Sequence, residues 1–147
     1  MNLVWGISES LIAYVEAVPD GIVTTCGIVV RDAGEFHFPL ASTDSTESGV
    51  TCELRFEGEV SLFAHRGALS ILLSDPQLTS AGHEGTLSVR SLEGSRIDIA
   101  HFGVVGALID IPPTIPRLSE SGSRFFEDNY PPGFAMGPFR LERFESP

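Results

Sequence analysis

The chain opens with apolar residues at helical spacing and then changes period. In "SESLIAYVEAV" Leu11, Tyr14, Val15 and Val18 recur at i, i+3, i+4 and i+7, Ser8 stands where an N-cap belongs, and acids sit in the first turn. This predicts a short amphipathic helix ended by "PDG". Tyr14 falls at the edge of the apolar stripe, where a tyrosine packs its ring and sends its hydroxyl to water or a carbonyl. From Gly21 the spacing is that of strands. "GIVTTCGIVV" is β-rich, "EFHFPL" puts Phe36, Phe38 and Leu40 on one face and His37 on the other, and "ASTDSTESG" reads as a loop.

The strictest alternation follows in "TCELRFEGEVSLF". Cys52, Leu54, Phe56, Val60 and Leu62 point inward, and Glu53, Arg55, Glu57, Glu59 and Ser61 point outward, so one face of this sheet is wet. "ALSILLSDP" aligns Leu69, Ile71 and Leu73, "GTLSVRSL" is another short strand, and "RIDIAHFGVVGALIDI" supplies one bent strand or two broken at a glycine. About eight to ten short strands result, at a spacing that predicts a mainly β fold: an antiparallel β-sandwich or flattened β-barrel with one or two short helices. Residues 1–147 read as a single domain. Within it, residues 112–138 form a Pro, Gly and Ser-rich segment whose aromatics, in "RFFEDNYPPGFAMGP", suit a loop or lid packed over a pocket; "FRLERF" offers a closing strand.

Composition narrows the function. At 147 residues and 42% hydrophobic content the chain can build a real core, and 15 Gly and 10 Pro suit strands joined by tight turns. A net charge of −11 argues against nucleic acid, which is bound through clustered cations, and against an anionic membrane surface. No apolar run approaches the ~20 residues of a membrane span. All nine basic residues are arginine, which removes lysine Schiff-base chemistry. Cys26 and Cys52 match no zinc or redox spacing and read as buried free thiols. The opening "MNLVWGISES" lacks the basic start and apolar run of a secretion signal, which predicts a cytoplasmic chain with reduced thiols.

Four histidines, His37, His65, His83 and His101, are scattered without metal-site spacing. His37 and His101 lie in strands as ordinary partly buried residues, and His83 in "SAGHEG" reads as a turn residue. His65, in "LFAHRGAL", is different. Counting back from Leu73 places it inward, and counting forward from Cys52 places it outward, so it marks a change of phase beside Gly67, a corner that can aim a side chain into a pocket. No Ser-His-Asp order, G-x-S-x-G elbow, phosphate loop or dinucleotide fingerprint occurs.

The stretches "LVWGISESLIAYVEA", "GEFHFPL", "LRFEGEVSLFAHRGALSILLSDPQL", "EGTLSVRS" and "FFEDNYPPGFAMGPFRLE", in order over nearly the whole chain, resemble the HtaA domain of haem-uptake proteins. The resemblance implies a haem-binding domain in which Tyr14 is the iron ligand and His65 supports it. That chemistry is sound, since phenolate is a hard anionic ligand for ferric iron and an imidazole can orient its oxygen. The haem carriers of that family look exported or anchored, whereas this opening carries no such signal. That contrast leaves a second reading: a cofactor-independent cyclase or lyase of secondary metabolism that folds a polyketide-like substrate in the same cavity, with Tyr14, His65, Tyr130 and Met136 as its wall. A plain interaction domain is a third, for which no patch stands out. The expected partner is a small hydrophobic ligand or substrate, with no nucleic acid and no membrane span, leaving room for a homo-oligomer.

Overall fold

Alternating apolar residues drawn from both ends of the chain build one antiparallel sheet curled into a half-barrel; the computed structural model describes residues 1–45 and 51–143. Its elements are β1 (Asn2–Trp5), α1 (Glu9–Ala17), β2 (Ile22–Cys26), β3 (Val30–Asp32), β4 (Glu35–Ser45), β5 (Thr51–Phe56), β6 (Glu59–Ala64), β7 (Leu69–Ala81), β8 (Glu84–Arg90), β9 (Arg96–Gly103), β10 (Arg117–Leu118), α2 (Glu120–Phe125) and β11 (Phe139–Glu142). The main path runs β10-β9-β8-β7-β5-β4-β1-β11, with β2 and β6 branching from β7 and β3 lying on β4. The described strands number 11, more than the eight to ten expected, because the opening Asn2–Trp5, for which the sequence reading named no element, forms β1, the turn at Gly27 divides the early β-rich run into β2 and β3, and the tail contributes β10 as well as β11.

The predicted facing holds. Leu54, Phe56, Val60 and Leu62 are buried, as are Phe36, Phe38, Leu69, Ile71 and Leu73, and together with Trp5, Phe126 and Phe139 they form one core. Each such side chain contributes roughly 1.5–3 kcal/mol on burial. Parity survives from β5 into β6 because the break between them is two residues long, Glu57 and Gly58. Gly58 has φ +120°, and a Cβ there would lie 2.1 Å from a Val29 methyl, so the chain can turn only at a glycine. Opposite the break, β7 bulges at Asp75, whose amide donates to Gly58 O (2.9 Å) and whose Oδ1 accepts from the Gly58 amide (3.0 Å). The first half of β7 therefore pairs with β6 and the second half with β5.

Four expectations need correction. Residues 41–45 continue β4 and pair with β5, so only the rest of the expected loop, at 46–49, lies outside the described residues. Residues 108–110 form a 3-10 turn instead of a second strand, since the chain leaves β9 at Gly103 and turns again at Gly106 (φ +79°). The buried stripe of α1 is Leu11, Ile12 and Val15, which turns Tyr14 outward. Cys26 is exposed at the end of edge strand β2, and both cysteines are free. The segment at 112–138 supplies β10 and α2 and sinks Leu118, Phe126 and Met136 into the core.

Candidate functional site

Helix α1 fixes the first half of the site. The Ser8 hydroxyl caps it by accepting from the Leu11 amide at 3.3 Å, and its apolar stripe packs onto β2 and β6. Leu11, Val15 and Ile12 span about 100° of helical rotation and Tyr14 falls roughly 110° from the middle of that stripe, so it points out and is 49% exposed. Its Oη lies 2.5 Å from Nε2 of His65, with ring centroids 5.8 Å apart and planes at 49°. A hydroxyl and an imidazole at that separation share one proton, which either atom can carry according to the tautomer.

The second half comes from the turn joining β6 to β7. His65, Arg66 and Gly67 have φ of +52°, +56° and +93°, three successive left-handed residues, two of which carry side chains that disfavour this region. The phase conflict read in the sequence is this turn. Its backbone amides are gathered by Asp20, just beyond α1: Oδ1 accepts from the His65 amide at 3.0 Å and Oδ2 from the Arg66 amide at 2.6 Å. The Arg66 amide chiefly, opposed by partial desolvation and aided by the His65 amide, holds the Asp20 carboxyl below the ordinary aspartate range.

Apolar side chains are also exposed on the far face of the β2–β6 pair. Phe63 on β6 pairs with Ile22 on β2, and the two are 38% and 57% exposed. The Phe63 ring also passes within 3.5 Å of where a Cβ on Gly67 would stand, so it borders the histidine turn. Tyr14 and His65 thus meet on an exposed surface, while Phe63 and Ile22 lie with Glu59 and Ser61 on the wet face of the β2–β6 pair, opposite the face that α1 covers. Tyr14 is exposed because it sits outside the buried stripe of α1.

The remaining candidates lie elsewhere along the helix. Tyr130 stacks on Phe134 (4.5 Å between centroids) and its hydroxyl meets Ser10 Oγ at 3.1 Å, one helical turn before Tyr14 on the same side. Met136 is 4% exposed and borders, with Phe134, Ser10 and Ala13, a depression of about 520 Å³ beside the start of α1. A second groove of about 470 Å³ is lined by Glu9, Glu16, Arg31 and Glu35, where the Arg31 guanidinium bonds Glu16 at 2.7 Å and 3.2 Å and keeps that carboxyl below its usual range. His37 is half-buried as expected, His101 points out of β9 and is exposed where partial burial was expected, and His83 sits in a turn with Nδ1 3.3 Å from Val104 O. Among the described residues no three His, Cys, Asp or Glu side chains form a metal-binding group.

Asp20 and Phe63 were not singled out by sequence reasoning. Asp20 was read only as part of a turn, and nothing local reveals its partners, 45 and 46 residues further on. Phe63 had a usable signal, because the alternation that sends Glu59 and Ser61 outward sends Phe63 outward too, an apolar side chain on a wet face.

The sequence profile of the HtaA family matches residues 1–142. Solved structures that share the fold include three from one organism. They are the C-terminal domain of HtaA from Corynebacterium glutamicum (23% identity, TM-score 0.78, covering 94% of this chain and 92% of that one), the N-terminal domain of the same protein (20%, 0.79, 94% and 92%), and the heme binding protein HtaB from that organism (18%, 0.66, 95% and 89%). No curated protein matches the sequence significantly. The cyclase or lyase alternative finds no support in these relatives or in the described residues. A profile match over nearly the whole length, joined to this half-barrel, places the chain in the HtaA family.

Proposed function

We propose that this protein binds haem on the open face around α1, with the phenolate oxygen of Tyr14 holding the iron and His65 hydrogen-bonded to that oxygen. The observation that carries the reading is the 2.5 Å contact between Tyr14 Oη and His65 Nε2 on an exposed surface. An imidazole so placed can accept the phenol proton and then donate Nε2–H back to the phenolate, which keeps the oxygen anionic and oriented. The residues fit the group. Tyr14 offers a hard oxygen donor reachable from solvent, and the depression on the same side of α1, bordered by Ala13, Phe134 and Met136, offers apolar surface for a flat macrocycle. Ferric haem, when bound, supplies a Lewis-acidic iron that prefers such an anionic oxygen. A neighbour in fold is itself described as a heme binding protein.

The test is a spectroscopic titration of the purified chain with ferric haem. A saturable tyrosinate-type spectrum is expected in the wild type; Tyr14→Phe abolishes it, and His65→Ala shifts it and weakens binding less severely. Absence of any saturable change in the wild type removes the proposal.

A further inference from the structure

The Tyr14–His65 contact depends on a strained turn, closed locally by the Ala68 amide donating to His65 O at 3.1 Å. Two non-glycine residues in the left-handed region, His65 and Arg66, are strained and persist only where their surroundings impose the conformation. In such a run successive backbone N–H groups point the same way and form a concavity suited to an anion. Here the anion belongs to the protein: each Asp20 oxygen takes one amide, from His65 at 3.0 Å and from Arg66 at 2.6 Å. Hydrogen bonds to a charged acceptor are roughly twice as strong as neutral ones.

Asp20 is itself held relative to Tyr14. The Gly21 amide donates to Val18 O at 2.9 Å, and a Cβ on Gly21 would stand 1.6 Å from the Val15 carbonyl oxygen, so the chain leaves α1 pressed against the helix's last turn. One short segment therefore carries Tyr14 at one end and grips the histidine turn at the other.

We propose that Asp20 is the positioning residue of the Tyr14–His65 pair: its carboxylate clamps the amides of His65 and Arg66 in the left-handed turn, and that turn sets Nε2 against the tyrosine oxygen. The carboxylate touches neither side chain of the pair. It acts through the backbone that aims one of them. The haem arm of the test rests on the reading above, and the ligand-free arm does not.

The ligand-free arm is a nitrogen-15 spectrum of the histidine rings. In the wild type, Tyr14 locks His65 into one tautomer with a hydrogen-bonded Nε2, and Tyr14→Phe identifies that signal by removing it. Asp20→Ala is expected to give the tautomer mixture seen in Tyr14→Phe. Asp20→Asn, which keeps one acceptor oxygen but no charge, shifts the signal part of the way. Glu16→Gln, which breaks the ion pair to Arg31 on the same helix, leaves it unchanged. In the haem arm, Asp20→Ala weakens binding by the same factor as His65→Ala, and the double variant is no weaker than either single one within about twofold, since residues acting through one another do not add. An unshifted His65 signal in Asp20→Ala, or in Asp20→Asn should the alanine variant not fold, overturns the proposal whether or not haem binds. Full additivity of the two variants in haem affinity overturns it equally.

Discussion

Asp20 holds two amides only while it is ionised, so the clamp has a pH dependence whose sign follows from the direction of its shift. Its carboxyl is held below the ordinary aspartate value of about 4, chiefly by the Arg66 amide. A group with a depressed folded value stabilises the fold fully above its unfolded value and loses that contribution as pH falls through the folded one. Asp20→Asn should therefore be less stable than the wild type at neutral pH, with the gap narrowing below about pH 4 and closing once the wild-type carboxylate is protonated. Thermal midpoints of the two proteins measured from pH 7 down to pH 2 check this, and a gap that stays constant through the acid range would mean the charge is irrelevant. At this scale the sequence was half legible. His65 stood out because two strand counts disagreed about it, which is a local property of "LFAHRGAL". Asp20 did not, since "PDG" satisfies every local criterion of a turn and its partners on the β6–β7 turn lie far along the chain. Tyr14 was placed on a stripe of Leu11, Tyr14, Val15 and Val18, but the sheet below α1 receives Ile12 in its stead, a choice made by tertiary packing and not by spacing.

Elements carry a different kind of information. The stretch from β5 to β6 was legible down to single side chains because a wet face and a dry face leave only one tolerable register, and a two-residue break preserves it. Phe56, fully buried at the end of β5, should then lose about 3–5 kcal/mol on truncation to alanine. Its neighbour Glu57 is exposed, and Glu57→Ala should stay within about 0.5 kcal/mol of the wild type. Chemical denaturation of the two variants separates them, and equal effects would contradict the facing. The end of β4 was illegible for the converse reason. Its Ala41, Ser42, Thr43, Asp44 and Ser45 have the composition of a loop and bury nothing, yet they pair with β5 from Ser42↔Arg55 to Ser45↔Cys52. Backbone pairing to a neighbouring strand suffices there, and strand propensity, which reflects fit to a half-buried surface, gives no sign of it.

At the scale of the whole molecule the two ends of the chain close the sheet on each other. β1 lies between β4 and β11, with Leu3 opposite Leu141 and Trp5 opposite Phe139, and Trp5 Nε1–H donates to Gly137 O at 2.7 Å. Trp5 and Phe139 are fully buried, and Phe102 meets the Phe139 ring edge-on at 5.0 Å. The closing strand was readable as "FRLERF", but its place beside the first strand was not, because nothing in either segment encodes a pairing across the length of the chain. The consequence is measurable through the single tryptophan. Ending the chain after Pro138 removes β11, turns β1 into an edge and strips the buried ring of Phe139 from Trp5 and Phe102 together. Loss of one such aromatic costs about 3–5 kcal/mol, the paired backbone is lost as well, and a domain of this size holds only about 5–15 kcal/mol in all. The shortened chain should therefore emit from Trp5 at the red wavelength of a solvated indole and show no cooperative thermal transition, while the full chain emits in the blue. Emission that stays blue after truncation would mean that β1 keeps its place without β11, and that α1, which follows β1 directly, does not depend on the chain's closure to hold Tyr14 against His65.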